Sequence, residues 1–249
     1  MTTADFASYG RNTARGPKDR VEPVLRPRPK VQPHRISDWV YDQLCDAIRT
    51  MELAPGAPLS EPSLATHLNV SRAPIREALT RLADQRLITV IPQVGTRVAP
   101  ILMAEVEEAC FIRSALECGA FQKAINTPDL DTRPLRHALE LNVAAAEAHD
   151  AEAFFETDEQ LHEAVFALAG VPHVWDVIRG IKLHLDRLRR LHLPDAVGNP
   201  ALVAEHTAIV EALEARDEKA GLDVIRKHAN RILVDSDSLR TRYPHYFEQ

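Results

Sequence analysis

Apolar positions keep a helical rhythm over most of this chain, broken once by a short β-like interval. From Ile36 the residues Val40, Leu44, Ile48 and Met51 mark a first helix that stops at Pro55-Gly56. Leu59-Ser60 opens a second, over residues 61–67, whose Leu64 and Ala65, with Leu68 just beyond, turn inward. In a third, Ile75, Ala78, Leu79 and Leu82 form one stripe, with Ser71 as a natural N-cap and Pro74 tolerated in the first turn. The period then changes. Residues 87–91 are β-branched, Pro92-Gln93-Val94-Gly95 turns them, and Thr96-Arg97-Val98 answers as a second strand. From Met103 the helical rhythm returns over 103–124, 134–149, 151–169, 174–191, 200–215 and 218–239. The breaks fall at Thr127-Pro128, His149-Asp150, Gly170-Val171-Pro172 and a loop over 193–199. The pattern predicts a mainly α protein: a helix-turn-helix with a β-hairpin wing over 34–100, then an antiparallel all-α bundle over 101–240. Residues 241–249 read as a C-terminal tail.

The polar face of the third helix carries the first chemistry. Arg72, Arg76 and Thr80 are four apart and align, with Ser71 at the tip. A small polar tip followed by stacked arginines suits a helix entering the DNA major groove end-first. The plain alternative is an amphipathic surface helix, but the tight Asn69-Val70 connection before it and the hairpin after it favour DNA reading. In the hairpin, Gln93, Gly95 and Arg97 are placed to approach phosphate or the minor groove.

Charge sharpens the division. The 249 residues carry a net charge of −6, an odd balance for a DNA binder until it is split. Residues 1–35 hold eight Lys/Arg against three Asp/Glu (+5), 36–100 six against seven (−1), and the remainder 16 against 26 (−10). The acidity therefore belongs to the helical region. Residues 1–33, rich in Pro, Arg and Lys, read as a disordered basic arm, either dispensable or an electrostatic tether to DNA. No membrane-spanning run or signal core is expected, and Cys45, Cys110 and Cys118 form no paired framework, which fits a reduced cytoplasmic setting.

The helical region holds a candidate metal site. Asp158 and His162, four apart, emerge on one helix face. His206 and His228 lie at matching distances on either side of a turn near Arg216-Asp217, so a helical hairpin brings them together. One carboxylate and three imidazoles would hold a divalent transition metal with positions left for water or ligand; zinc is the default, with nickel or manganese as alternatives. Any single histidine of the 11 is more often a surface or hydrogen-bonded residue, the reading given to His137, His173, His184, His192 and His245. An Asp/His pair alone is also common polar surface.

Two resemblances extend these readings. Pro55-Gly56-x-x-Leu59, Leu64-Ala65, Val70-Ser71-Arg72-x-Pro74-x-Arg76-Glu77-Ala78-Leu79 and Gly95-x-x-Val98 resemble the DNA-binding domain of GntR transcription regulators. That likeness implies DNA contacts at Ser71, Arg72, Ala73 and Arg76 and backbone approach at Gly95. The chain departs from the family at Pro62, where a polar or basic residue is usual, and at Arg86, where glycine is usual. Arg113-x-x-Leu116-Glu117, Asp158-x-x-x-His162, Glu205-His206-x-x-Ile209 and His228 resemble the FCD effector domain of the FadR subfamily, departing from it at Val171. The likeness implies metal ligation by Asp158, His162, His206 and His228, and an effector carboxylate anchored by Arg113. A buried guanidinium beside a metal also calls for an anion on its own account, although an internal pair with Glu117 answers the same need. The expectation is a regulator and not an enzyme: a repressor of a metabolic operon, a homodimer on an inverted repeat, and a small carboxylate effector beside the metal. The alternatives are a metal-dependent hydrolase or lyase, and a dimerisation bundle with a purely structural metal.

Overall fold

The computed structural model describes residues 25–26 and 35–248, so most of the expected basic arm lies outside the described residues. Of the two arm residues it does describe, Arg26 is exposed, whereas Leu25 is buried and its carbonyl lies 3.1 Å from His67 Nε2. The chain forms two compact units, one reaching Met103 and resuming at Arg242, the other spanning Ala104–Thr241.

In the first unit α1 (Ile36–Arg49), α2 (Glu61–His67) and α3 (Arg72–Asp84) bury Val40, Leu44, Ile48, Leu64, Leu68, Ile75 and Leu82 as one core. Ser60 caps α2, accepting from Ser63 N at 3.4 Å. Asn69 takes a left-handed conformation (φ 52°) between α2 and α3, which makes the tight helix-turn-helix corner. The wing strands β2 (Ile88–Ile91) and β3 (Gly95–Val98) pair antiparallel, Ile88 with Val98 and Ile91 with Gly95. A two-residue strand β1 (Pro58–Leu59) adds to the far side of β3 and is too short to leave a period in the sequence. The expected C-terminal tail is instead structured. After a 3₁₀ turn at Pro244–Tyr246, Phe247 bridges Ile101 in parallel: Ile101 N donates to Tyr246 O at 2.7 Å and Glu248 N to Ile101 O at 3.3 Å.

The second unit is built from α4 (Met103–Ile125), α5 (Arg133–Glu147), α6 (Ala151–Leu168), α7 (His173–Ile181), α8 (Leu183–Val197), α9 (Pro200–Glu214) and α10 (Glu218–Arg242). Phe121, Leu161, Phe166, Trp175, Ile209, Leu213 and Ile225 meet in its core. The corners are locally encoded. His149 and Arg216 adopt positive φ at the ends of α5 and α9, Gly170 does so after α6, and Asp150 and Asp217 cap the helices that follow.

Two sequence expectations fail here. The helix expected over 174–191 is two helices, α7 and α8, parted at Lys182. Gly180 weakens the helix just before the break, and the buried Lys182 Nζ is held at 2.7 Å by both Glu159 and Asp186. The expected loop over 193–199 is helical to Val197 with Pro194 inside α8, because Leu193 and Val197 bury against Phe154 and Phe155 and offset the lost backbone bond. Among the described residues, no helix is long and apolar enough to cross a membrane. Cys45, Cys110 and Cys118 are buried free thiols in helices.

Candidate metal centre and nucleic-acid face

Each DNA-facing candidate can be placed. Ser71, Arg72, Ala73 and Arg76 are exposed at the start of α3, opposite the stripe that buries Ile75, Ala78, Leu79 and Leu82. Ser71 takes the N-cap position with extended backbone, but its side chain makes no cap hydrogen bond. Arg76 reaches Glu61 at 3.2 Å across exposed surface, a pair worth little in water. Arg81, by contrast, is structural: it pairs with Asp38 at 2.7 Å and lies over the Tyr41 ring. In the wing, Gln93 (φ 64°) and Gly95 (φ 118°) are exposed at the turn. Arg97 is drawn back, donating from NH1 to Gly56 O at 2.8 Å, so it braces the wing against the Pro55-Gly56 turn. Arg86, in the position where glycine is usual, adopts φ 56° at the end of α3.

Asp158 and His162 of α6, His206 of α9 and His228 of α10 come together. All four are buried, and each offers a ligand atom within 4.8 Å of the others. The hairpin argument holds: the rings of His206 and His228 are 4.7 Å apart.

The partners of the imidazoles fix which nitrogen faces inward. His162 Nδ1 meets Glu117 at 3.2 Å, His228 Nδ1 meets Glu205 at 3.2 Å, and His206 Nδ1 meets Asn142 Oδ1 at 2.8 Å. The Asn142 amide is itself oriented, since its Nδ2 donates to Phe154 O (3.2 Å) and Thr157 Oγ1 (3.1 Å). All three partners are acceptors, so each Nδ1 carries the proton and each Nε2 presents a lone pair to the centre. There His162 Nε2 and His228 Nε2 face each other at 3.1 Å, and His206 Nε2 lies 3.2 Å from Asp158 Oδ1. His206 Nε2 is buried without a hydrogen-bond donor. Lone pairs pointing at lone pairs repel unless a cation sits among them. Donors held at about 2.0–2.1 Å by a tetrahedral ion lie roughly 3.3 Å apart; the two closer pairs approach this, while His162 Nε2 and Asp158 Oδ1 stand 4.0 Å apart. The donor set therefore fits a divalent metal on its own chemistry.

Electrostatics keep the donors in their ligating forms. Burial depresses both His162 and His228, the latter to about 3 with its two neighbouring histidines adding to the effect. Burial alone would raise Asp158, but Arg189 and the surrounding imidazoles outweigh it and hold the carboxyl well below the usual range. Glu117 and Glu205 are likewise held low against desolvation, Glu117 by Arg113 and His162, Glu205 by His228 and Arg231. Arg189 donates to Asp158 Oδ2 and, at 2.8 Å, to Glu159, leaving Asp158 Oδ1 turned to the imidazoles.

Arg113 stands at the edge of the cluster, almost fully buried. Its Nε donates to Glu117 at 2.5 Å, the internal pair anticipated as the plain alternative, and its NH2 lies 2.6 Å from His162 Nε2. With Asp158 and His228 it lines a cleft that opens to solvent. His192 and His184, read from sequence as surface or hydrogen-bonded residues, are partnered: His192 lines the same cleft 3.4 Å from Asp235, and the buried His184 lies 3.3 Å from Arg187. His137, His173 and His245 are on the surface. Of the three Nδ1 acceptors, sequence reasoning named Glu117 and Glu205 without this role and passed over Asn142. Asn142 left a signal: it interrupts an otherwise apolar stripe of Leu135, Ala138, Leu139 and Ala145.

A small DNA-reading head carried on a larger helical unit is the build of a transcription regulator. The chain belongs to the GntR family of bacterial regulators, in the FadR subfamily whose second domain is FCD. Residues 36–98 match "Bacterial regulatory proteins, gntR family" and residues 108–231 match "FCD domain". The transcriptional repressor RspR of Escherichia coli K12 is 32% identical over 233 residues, covering 92% of this chain and 99% of its own. An uncharacterised regulator from an unstable DNA locus of Streptomyces ambofaciens is 34% identical over 209 residues, 84% of this chain and 88% of its own. Two solved structures share the fold. A GntR regulator from Rhodococcus sp. RHA1 has a TM-score of 0.65 at 22% identity, covering 80% of this chain and 97% of its own. E. coli McbR/YncC has a TM-score of 0.64 at 24% identity, covering 84% and 99%. The protein is a DNA-binding regulator and not an enzyme.

Proposed function

We propose that this chain is a metal-dependent, acid-responsive repressor of a metabolic operon. It works in the cytoplasm as a homodimer whose two α3 helices read the half-sites of a short inverted repeat. Ser71, Arg72, Ala73 and Arg76 meet the DNA, with Gln93 and Gly95 at the wing tip and Arg97 bracing it. Asp158, His162, His206 and His228 hold a divalent ion, zinc by preference for this nitrogen-rich donor set, with nickel and manganese as alternatives. When bound, the ion supplies a Lewis-acid site for one carboxylate oxygen.

The observation that carries the reading is the position of Arg113. Its NH2 donates to the lone pair of His162 Nε2, while Glu117 balances its charge through Nε. An ion that takes this lone pair leaves a buried guanidinium N–H beside the cleft with no acceptor. A carboxylate supplies that acceptor, which links effector binding to metal loading. The effector shifts operator affinity only so far as it prefers one arrangement of the helices over the other.

The test is operator binding by metal-defined protein against a panel of organic acids. Zinc-loaded protein is expected to lose operator affinity with at least one acid, and both metal-stripped protein and the Arg113→Ala variant to be indifferent to it. An identical acid response from metal-stripped protein would refute the linkage. Turnover of an acid by the loaded protein would revive the hydrolase alternative.

A further inference from the structure

The cleft beside the cluster has a chemically uneven lining. Where it meets the cluster it presents Arg113, Asp158 and His228. The Phe154 ring lies against His206 with centroids 6.4 Å apart, so an apolar wall begins at the cluster itself. Phe155 and Leu193 continue that wall within one buried apolar group, against which Leu202 packs. Ile232 of α10 adds to it. Among the described residues, no hydroxyl-bearing or amide side chain lines the cleft.

The other ionic groups along the cleft are already matched. Arg231 makes two bonds to Glu205, one of them at 2.8 Å from Nε. Arg189 serves Asp158 and Glu159 and lies with its guanidinium carbon 4.8 Å from the Phe155 centroid. His192 Nε2 lies 3.4 Å from Asp235. A second carboxylate entering here would have to compete with resident carboxylates for every cation. Ligand hydroxyls would lose water and meet few acceptors, since the one carboxylate on the lining, Asp158, is held by Arg189 and the imidazoles. An apolar body meets none of these penalties and gains from covering the wall.

We propose that the cleft is built for a small monocarboxylate with an apolar body, a branched aliphatic or aromatic acid, in preference to sugar acids and dicarboxylates. The proposal rests on the acid-responsive reading above and narrows it. The carboxylate meets Arg113 beside the metal cluster, and the body lies along Phe154, Phe155, Leu193 and Leu202.

The experiment is calorimetric titration of the zinc-loaded full chain with benzoate, 4-methylpentanoate, gluconate and succinate, with thermal melting as a second readout. Benzoate or 4-methylpentanoate is expected to bind at least about tenfold more tightly than gluconate or succinate. Leu202→Gln, on the wall and outside the metal cluster, is expected to shrink that preference with zinc content unchanged. Ala196→Ser, a smaller change on the same lining, reads the same preference should Leu202→Gln fail to fold. Gluconate or succinate binding as tightly as the apolar acids overturns the proposed class and leaves the acid-responsive reading standing. If none of the four acids binds, the acid-responsive reading falls and the class with it.

Discussion

Three histidines in this protein spend their Nδ1 protons on Glu117, Asn142 and Glu205, and so aim three lone pairs at one point. Asn142 gives the cleanest test of that arrangement because it carries no charge and touches the centre only through His206. Asn142→Ala is expected to weaken zinc binding about 10–100-fold, the usual cost of losing an outer partner of a ligating histidine. Competition against a chromophoric chelator measures it; unchanged affinity would show that His206 is oriented by packing alone. Asp158→Ala should strip metal retention while leaving operator binding measurable. Gly221 makes a different demand. A Cβ there would run into the buried Phe121 ring, which packs directly on the α10 backbone at this glycine. Gly221→Ala is expected to destabilise the helical unit by about 1–3 kcal/mol, visible as a fall in the melting temperature.

At the level of elements, α3 can offer one face to DNA because its other face is fully spent on the core. Arg72→Ala and Arg76→Ala are each expected to weaken operator binding, and a substitution that removes a phosphate contact also reduces the salt slope by about one. Binding isotherms at several salt concentrations separate the two kinds of contact. Much of this element was legible in the sequence, since helix spacing, caps and the arginine face are all local properties. So were the four metal candidates, because i,i+4 spacing and a symmetric hairpin fix positions without long-range information. The acceptors behind the imidazoles were less legible: Glu117, Asn142 and Glu205 matter through neighbours 45, 64 and 23 residues away. The break at Lys182 and the helical Pro194 were illegible for a related reason. A buried ion pair with Glu159 and the packing of Leu193 on Phe154 and Phe155 override the local propensities there.

At the scale of the whole molecule, the buried cluster ties stability to pH. Above the ordinary histidine value of 6.5, neither folded nor unfolded protein protonates His162 or His228, and these groups contribute nothing to pH dependence. Below it the unfolded chain takes up protons that the folded protein refuses, in the case of His228 until about pH 3. Stability of the metal-stripped protein is therefore expected to fall as pH drops from 6.5 toward 3. Denaturant titrations at pH 7 and pH 5 measure the fall, and His228→Gln should reduce it. Bound metal competes with these protons, so zinc is expected to protect the fold most at neutral pH and to be lost on acidification.

The pairing of Phe247 with Ile101 makes the helical unit an insertion within the DNA-binding unit, tethered by its entry and its exit alike. His228 and the exit share one uninterrupted helix, α10. Removing residues 243–249 is expected to leave the helical core and its four metal candidates intact while stripping Ile101 of its bridge, so the damage should surface in operator binding. By the same logic an affinity tag joined to the segment after Phe247 hangs from the DNA-binding unit, and the helical unit takes labels of its own best on its internal turns.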